Sequence, residues 1–238
     1  CDITDVDQII KLREFVKQTT GGYLHILYNN AGISIAGPAT EFENDQMMTL
    51  FKVNVFGHMY MTKYMSEFII AGKGAIIFTS SVAARAPLSW VSLYCATKSA
   101  IDQYAWCLRT EMQPFGVRVY SVITGGVDTG ICDANITAPK AGSPFDVDGV
   151  YDSMRASAQM SRITNVSPQK YAQGVVSVVE SKSSVFNIYK GAKSFTTHFG
   201  SRYLPLWLFE FLVSRHFLAL KVWRNIKKRV MAQDKKSA

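Results

Sequence analysis

Tyr94 and Lys98 are the two residues whose spacing most directly indicates chemistry. They stand four positions apart in Tyr-Cys-Ala-Thr-Lys, so on a helix both side chains lie on one face. A tyrosine hydroxyl ordinarily titrates near pH ~10, and a neighbouring ammonium stabilises the phenolate and lowers its pKa. The pair can therefore exchange a proton with a carbonyl oxygen near neutral pH. Ordinary exposed helices show the same spacing, so the pair needs support from the residues around it.

Ser81 supplies a hydroxyl where a substrate carbonyl would meet Tyr94. It precedes Tyr94 by 13 residues and follows the apolar run at residues 76–79, which predicts a buried strand. A hydroxyl there can act as a small oxyanion-type donor. Ser80 would cap the strand end equally well, so the choice of Ser81 rests on spacing.

Asn54 places an amide in the middle of an apolar stretch, residues 51–57. A buried amide needs a hydrogen-bond partner. Two partners are open: the backbone of its own helix, or a water that links Lys98 to solvent and so resupplies protons.

Two polar turns each follow an apolar run. Residues 29–32 read Asn-Asn-Ala-Gly, where small residues let a cofactor approach and an Asn can tie neighbouring strands together. Residues 124–129 read Thr-Gly-Gly-Val-Asp-Thr, and their backbone groups and Thr hydroxyl can bind a carboxamide. Both turns are therefore candidate cofactor contacts.

The elements that must position these side chains alternate between short apolar runs and longer helical stretches. Strands are predicted at residues 24–28, 74–79, 117–123 and 185–189, and helices at 5–20, 45–70 and 91–112. This alternation predicts an α/β fold with a Rossmann-like, doubly wound parallel sheet, which binds ligands at the carboxyl ends of its strands. The 238 residues suffice for one such domain. Residues 130–170 are expected to form a mobile insertion over the sheet edge.

These motifs, in this order and spacing, resemble the short-chain dehydrogenase/reductase family over about residues 1–195. The resemblance implies a nicotinamide-dependent oxidoreductase. It implies that the catalytic residues are Asn54, Ser81, Tyr94 and Lys98. It also implies cofactor contacts at Asp2 (to adenine), Asn30, Lys63, Tyr94, Lys98, and Val127 and Thr129 (to the nicotinamide amide).

The sequence departs from the family pattern in two places. Thr124 stands where the family usually has proline before the glycine turn, so we expect a less rigid loop whose backbone contacts survive. The family's Gly-rich phosphate loop would precede Asp2 and does not appear in the chain. We therefore expect an N-terminally truncated fold that lacks its first strands, binds the cofactor poorly and folds marginally.

A narrower resemblance, to the fungal 1-acyldihydroxyacetone-phosphate reductases of glycerolipid synthesis, rests on stretches such as residues 51–58 and 123–127. It implies NADPH as reductant, a lipid ketone as substrate, and 1-acylglycerol 3-phosphate, a precursor of phosphatidic acid, as product. It also implies a place at the cytoplasmic face of the endoplasmic reticulum membrane or at a lipid droplet. A substrate phosphate needs a cation near Tyr94, for which Arg85, Arg155 and Arg162 are the candidates.

Charge sets the C-terminal tail apart from the body. Residues 199–238 hold nine Lys/Arg and two acids, a net of +7, whereas residues 1–198 have a net of +1. A near-neutral body excludes a diffuse nucleic-acid-binding face. The apolar run at 203–220 is interrupted by charges, so we expect residues 199–238 to be a membrane-interface tail beside a partial dehydrogenase domain, residues 1–198. A helix that covers a homodimer is the alternative.

Three other hypotheses stay open. The chain could reduce a different lipid or steroid ketone. It could be a serine hydrolase, since Gly32-Ile33-Ser34-Ile35-Ala36 nearly matches Gly-x-Ser-x-Gly, although no His/Asp pair is evident. It could also be a non-catalytic membrane-associated scaffold. The spacing of Cys1, Cys95, Cys107 and Cys132 suggests neither a disulfide framework nor a metal site.

Overall fold

The computed structural model describes residues 1–133, 135–160, 162 and 166–237. Its helices are α1 (Val6–Thr20), α2 (Asn44–Phe51), α3 (His58–Ala71), α4 (Ser92–Met112), α5 (Val150–Ala158), α6 (Pro168–Glu180), α7 (Ser194–Tyr203), α8 (Leu206–His216) and α9 (Ala219–Ser237). Its strands are β1 (Ile26–Asn29), β2 (Ile35–Ala36), β3 (Ala75–Ser81), β4 (Arg118–Thr124), β5 (Asn135–Ile136) and β6 (Asn187–Lys190).

Four strands form one parallel sheet in the order β1, β3, β4, β6. β3 and β4 pair over their full lengths, so Ser81 and Thr124 lie side by side at the carboxyl end. The short strands β2 and β5 form a separate parallel pair. The predicted α/β fold with a parallel sheet is confirmed.

β3 and β4 are buried almost throughout because helices cover the sheet on both faces. One face packs against α3 and α4 in a cluster that includes Phe68, Ile76, Phe78, Ile101 and Val119. The other face packs against α6 in a cluster that includes Ile77, Tyr120, Val122, Val175 and Val179. Two buried faces fix the positions of the strand ends that carry the site.

The helix predicted over residues 45–70 contains a π-helical turn, Lys52–Gly57, between α2 and α3. Such turns are rare and occur frequently at functional sites. This one contains Asn54, which is fully buried. It also contains Gly57, where an added Cβ would lie 2.7 Å from the side chain of Ile3. The N-terminal segment therefore packs directly against the turn that carries Asn54.

Within the described part of the chain, one face of β1 is covered and the other face is open. Leu27 is buried on the side of α3, whereas Ile26 and Tyr28, which point the other way, are 47% and 37% exposed. The open face places Tyr28 in the lining of the cleft described below.

The C-terminal helices pack one face each against the body. Phe209 and Phe217 are buried in a cluster with Leu88 and Val91, and Val222 of α9 is fully buried. The boundary predicted between residues 198 and 199 falls inside α7. In the part of the chain that is described, no helix combines the length and apolar character needed to cross a bilayer.

Part of the predicted insertion at residues 130–170 is helical. Ser153 on α5 donates to the carbonyl of Phe217 at 2.6 Å and accepts from the indole of Trp90 at 2.8 Å. One hydroxyl thus joins the insertion, the C-terminal helices and the loop that precedes α4.

Candidate active site

A cleft of about 660 Å³ opens at the carboxyl ends of β1, β3 and β4. This is the edge at which parallel sheets bind their ligands. Its lining includes six residues singled out from the sequence: Asn30, Ser81, Tyr94, Lys98, Val127 and Thr129. The fold therefore brings together most of the predicted site.

α4 places Tyr94 and Lys98 on one face, with Lys98 Nζ 5.7 Å from the centre of the Tyr94 ring. The ammonium also donates to the carbonyl of Thr79 at 2.7 Å. Lys98 is almost completely buried, and burial lowers its pKa to about 8. The amine is therefore still mostly charged at neutral pH and places a positive charge beside the phenol.

Ser81 ends β3, and its hydroxyl is anchored on both sides. Its Oγ accepts from the backbone N–H of Ala83 at 3.1 Å and donates to the carbonyl of Thr124 at 3.4 Å. Ser80 lines the same cleft, but its Oγ is buried and has no hydrogen-bond partner within the described structure. The Ala83 N–H fixes the position of the Ser81 oxygen, and the 3.4 Å contact to Thr124 is long enough for the hydroxyl proton to turn to a carbonyl oxygen in the cleft, which favours Ser81 for that role.

The Asn54 amide bonds to other segments rather than to its own helix. It accepts from the N–H of Ile33 and donates to the carbonyl of Ile33, both at 2.9 Å, and it also donates to Thr97 Oγ1 at 3.0 Å. A Cβ built on Gly32 would lie 3.5 Å from Asn54 Oδ1 and 3.6 Å from Lys98 Nζ. Asn54 therefore holds the turn after β1 against α4. Its amide oxygen and the Lys98 ammonium both lie beside the backbone of Gly32.

Asn30 ties two neighbouring strands together, as the sequence predicts. Its Oδ1 accepts from Thr79 Oγ1, at the end of β3, at 2.9 Å. The preceding Asn29 is buried and donates to Thr62 of α3 at 3.3 Å. The turn after β1 is thus fixed both to the sheet and to the helix beneath it.

His58, which sequence reasoning misses, holds the same turn. Its Nε2 donates to the carbonyl of Ala31 at 2.8 Å, because a carbonyl can only accept. Burial, followed by the charge of Lys98, lowers the pKa of His58 to about 4. The ring is therefore neutral at pH 7. The sequence feature that could have indicated His58 is its position four residues after Asn54, a spacing that places two helical residues on one face.

The turn after β4 is fixed by backbone contacts in place of a proline. Gly126 and Ala192 exchange two backbone hydrogen bonds, at 3.0 and 2.9 Å. A Cβ on Gly125 would lie 2.0 Å from the carbonyl oxygen of Ala192, so a side chain does not fit there. These contacts position Val127 and Thr129 in the cleft.

Tyr171 of α6 is a second site residue that sequence reasoning misses. Its hydroxyl lies 2.7 Å from Thr124 Oγ1, and its side chain lines the cleft. Burial, and then the neighbouring Tyr28, raises the pKa of Tyr171, so the hydroxyl stays protonated. The two bonded residues are 47 positions apart, and no local pattern connects them.

Two of the predicted cofactor contacts lie outside the cleft lining. Asp2 is exposed, and its carboxylate accepts from the N–H and hydroxyl of Thr4 at 2.8 and 2.9 Å. Lys63 is exposed on α3 with its ammonium 5.3 Å from the ring centre of Tyr64. Asn54 is fully buried whereas Lys63 is exposed, so the two side chains face different sides of the helical segment.

None of the three candidate arginines lines the cleft. Arg85 forms an ion pair with the buried Asp102 at 2.5 Å. Arg155 is exposed and lies over the ring of Tyr151, and Arg162 is also exposed. The described lining of the cleft therefore does not contain the arginine expected beside Tyr94, since Arg85 is held by a carboxylate and Arg155 lies over Tyr151.

The cleft fits the nicotinamide half of a dinucleotide. Gly32 leaves bare backbone beside Asn54 and Lys98, and the unpaired Ser80 hydroxyl can bond a bound polar group. Tyr94 and Lys98 would hold a ribose, while Val127 and Thr129 would meet the carboxamide. The described residues contain no group of three or more His, Cys, Asp or Glu side chains that could bind a metal.

Comparison with known proteins identifies the family to which the chain is similar. Residues 1–139 match the family described as short chain dehydrogenase. The chain is 35% identical over 235 residues to the NADPH-dependent 1-acyldihydroxyacetone phosphate reductase of Saccharomyces cerevisiae, covering 98% of this chain and 78% of that protein. The protein of the same name from Schizosaccharomyces pombe is 36% identical over 130 residues, which cover 55% of this chain and 44% of that protein.

A solved structure shows the same fold. The crystal structure of a short-chain dehydrogenase from Streptomyces avermitilis superposes with a TM-score of 0.73 at 22% identity, covering 84% of this chain and 72% of that one. The family match contains Asn54, Ser81, Tyr94 and Lys98. The chain belongs to the short-chain dehydrogenase family, whose members are oxidoreductases of alcohol and carbonyl groups.

Proposed function

We propose that this chain reduces a lipid ketone with NADPH, converting 1-acyldihydroxyacetone phosphate to 1-acylglycerol 3-phosphate. The observation that carries the reductase chemistry is the buried Lys98 ammonium beside Tyr94, in a cleft that also holds the anchored Ser81 hydroxyl. The substrate and the choice of NADPH are supported by 35% identity to the S. cerevisiae reductase over 98% of the chain.

Each of the three residues acts on the ketone oxygen or on the proton it receives. The Tyr94 hydroxyl gives its proton to that oxygen. The Ser81 hydroxyl turns its single proton from the Thr124 carbonyl, 3.4 Å away, to the ketone oxygen and so orients it. The Lys98 ammonium stabilises the phenolate left behind. When bound, the reduced nicotinamide supplies the hydride that completes reduction at the carbonyl carbon.

Asn54 completes this arrangement by positioning the water through which protons would return to Lys98. Its bonds to Ile33 and Thr97 fix the amide, and its oxygen flanks the same point as Lys98 Nζ. A water between the amide oxygen and the ammonium would connect Lys98 to solvent. In this role Asn54 positions the relay and does not touch the substrate.

The wall of the cleft supports an apolar substrate. Beyond the polar strand ends, apolar side chains line it, among them Leu88, Val91, Ile131, Ala158 and Met160. Ligand pockets of this kind bind the apolar body of a ligand, while a few polar groups orient its reacting end. An acyl chain extending from the ketone would fit such a wall.

The test compares two tyrosines. Tyr94→Phe should lower NADPH oxidation driven by 1-acyldihydroxyacetone phosphate by about a hundredfold or more, since the proton donor is lost. Tyr23→Phe, at an exposed position outside the cleft lining, should leave turnover unchanged. Full activity in Tyr94→Phe would overturn the assignment. Running the same assay with NADH tests the choice of dinucleotide.

An unphosphorylated lipid ketone is the second candidate substrate. Among the described residues that line the cleft, Lys98 is the only Lys or Arg, so a phosphate would lack a dedicated cation there. The two candidate substrates are distinguished by comparing kcat/KM for 1-acyldihydroxyacetone phosphate with kcat/KM for the same acyl ketone without phosphate. A higher kcat/KM for the second compound would favour an unphosphorylated substrate.

A further inference from the structure

Three aromatic rings of α7 and one of β6 form a continuous row. Phe195, Phe199 and Tyr203 recur every four residues and therefore share one helical face. The ring centres of Tyr189 and Phe195 are 5.7 Å apart, those of Phe195 and Phe199 6.3 Å, and those of Phe199 and Tyr203 4.6 Å. The row is therefore an ordered surface feature.

This row is exposed and continues into α8. Phe195, Phe199 and Tyr203 are 60%, 51% and 68% exposed, and Leu206 and Trp207 are each 69% exposed. Soluble monomers rarely expose contiguous apolar patches of this kind, and those that do commonly use them for binding. We call Phe195, Phe199, Tyr203, Leu206, Trp207 and Phe211 the α7–α8 surface.

The helices that carry this surface are fixed to the body by their opposite sides. Ser194, Gly200 and Phe209 are buried, and an added Cβ on Gly200 would lie 3.1 Å from the ring of Phe209. The exposed rings are therefore presented by a packed scaffold, so their exposure is a stable property of the fold.

The chain segment that carries the α7–α8 surface is strongly positive. Between residues 193 and 229 the sequence has eight Lys/Arg and a single acid, Glu210, a net of +7. Lys193, Arg202 and Arg215 are exposed, and the ion pairs found between described side chains include none of the three. These cations are free to meet an anionic partner.

We propose that the α7–α8 surface docks on a phospholipid surface that carries anionic head groups. Exposed aromatic rings bordered by cations are what such an interface accommodates: the rings enter the boundary of the acyl chains and the cations meet the head groups. A second copy of this chain is a poorer partner, because two such faces would juxtapose like charges. The docking site is the α7–α8 row, which begins before residue 199.

The same helix that faces the lipid forms part of the wall behind the cleft. Phe209 and Phe217 pack with Leu88 and Val91, and the latter two line the cleft. An α-helix with side chains is about 10 Å across, so docked lipid lies roughly one helix diameter from the cleft wall. This delivery step rests on the proposed lipid substrate, whereas docking itself does not.

Flotation with vesicles tests the docking. The full chain is mixed with vesicles of phosphatidylcholine, or of phosphatidylcholine with phosphatidylserine, and the floated protein is measured. We expect strong binding to the phosphatidylserine vesicles that weakens with added salt, and weaker binding to phosphatidylcholine alone. No flotation with either vesicle would overturn the proposal.

A matched pair of double variants tests which rings are responsible. Phe199→Ser with Trp207→Ser should lower vesicle affinity by about tenfold or more, since two rings no longer leave water. Phe15→Ser with Trp106→Ser removes rings that are 62% and 54% exposed elsewhere and should leave binding unchanged. Equal loss in both pairs would mean that adsorption is non-specific.

A second pair of variants tests the cations. Arg202→Gln with Arg215→Gln should weaken binding to phosphatidylserine vesicles by about fivefold per charge and change binding to phosphatidylcholine little. Lys11→Gln with Lys17→Gln, exposed on α1, is the control and should leave both unchanged. Arginine variants that bind phosphatidylserine vesicles as the parent chain does would contradict the electrostatic part.

Size-exclusion chromatography with light scattering tests the alternative partner. A dimer that Phe199→Ser with Trp207→Ser dissociates, without flotation of the parent chain, would assign the surface to a second copy. The experiments distinguish failure of the docking proposal from failure of the reductase proposal. Flotation without ketone turnover would exclude only the proposed substrate, and turnover without flotation would exclude only the docking.

Discussion

Lys98 is the residue at which stability and function conflict most strongly. Its ammonium is almost completely buried, and burial lowers its pKa from 10.5 to about 8. Keeping the charged form at pH 7 therefore costs about 3 kcal/mol, which the hydrogen bond to Thr79 offsets only in part. A fold selected for stability alone would place an apolar side chain there, which agrees with the proton-transfer role proposed above for Lys98.

Replacing Lys98 should separate the two properties. Lys98→Met should abolish ketone-dependent NADPH oxidation, because the phenolate loses its neighbouring charge. It should leave the free energy of unfolding at pH 7 unchanged or raise it by about 1 kcal/mol, since the buried charge and its hydrogen bond are lost together. Urea unfolding and steady-state kinetics measure the two effects.

Lys63→Met is the matched control for Lys98→Met. Lys63 is exposed and lies outside the cleft lining, so both stability and the KM for NADPH should stay at the parent values. A clear rise in that KM would restore Lys63 to the cofactor site. A large loss of stability in Lys98→Met would show that the ammonium serves the fold.

At the scale of elements, the turn after β4 depends on a bond between side chains from two segments. Thr124 and Tyr171 join the end of β4 to α6 at 2.7 Å, and the carbonyl of Thr124 also receives the Ser81 hydroxyl. The same turn carries Val127 and Thr129 into the cleft. The bond therefore couples α6 both to the oxygen-orienting serine and to the carboxamide contacts.

A double-mutant cycle tests this bond. Tyr171→Phe and Thr124→Val each remove it and should each lower the free energy of unfolding by about 1 kcal/mol. The double variant should cost less than the two singles added together. Each single variant should also raise the KM for NADPH by about fivefold, which corresponds to a loss of about 1 kcal/mol of cofactor binding through the loosened turn. Thr124→Ser keeps the hydroxyl and is the control, and strict additivity would show that the two residues act independently.

Element positions were predictable where periodicity and end signals agreed. α1 begins after Asp5, whose side chain caps two backbone N–H groups, and ends at Gly21 with φ 68°. α6 was missed although Ser167 and Pro168 mark its start, because the surrounding polar composition suggested a loop. The π turn at Lys52–Gly57 could not be predicted, since apolar spacing does not report which carbonyl each N–H meets.

The candidate site was predictable where residues lie in local motifs. Tyr94 and Lys98 share a helix, and Ser81 ends the strand before it, so spacing sufficed. His58 and Tyr171 act through partners 27 and 47 positions away, which no local pattern connects. Lys63 was placed by distance along the chain, but its side chain is exposed outside the cleft lining.

At the scale of the whole molecule, the buried imidazole of His58 links folding to pH. Burial and the charge of Lys98 hold its pKa near 4, against 6.5 in the unfolded chain. Above pH 6.5 both states are neutral there. As the pH falls from 6.5 to 4, the unfolded chain gains a proton that the folded chain does not, so the free energy of unfolding falls by about 3 kcal/mol over this window.

Replacing the imidazole with an amide should reduce the fall in the free energy of unfolding between pH 6.5 and 4. His58→Gln keeps a donor for the carbonyl of Ala31 and does not titrate, so its unfolding free energy should change less between pH 6.5 and 4 than that of the parent chain. His25→Gln, at an exposed position, is the control and should retain the parent slope. Urea unfolding across this pH range measures the difference, and identical slopes for the parent and His58→Gln would exclude the linkage.

The π turn at Lys52–Gly57 also restricts how this segment can change in length. Deleting one residue there would let the helix run in regular α geometry from α2 into α3. Because the wider turn accommodates one extra residue locally, α2 and α3 would keep their register, and His58 and Thr62 would still face Ala31 and Asn29. The change would fall on Asn54, which reaches Ile33 and Thr97 from inside the wide turn. A single-codon loss here should therefore disturb the proposed proton relay more than the fold.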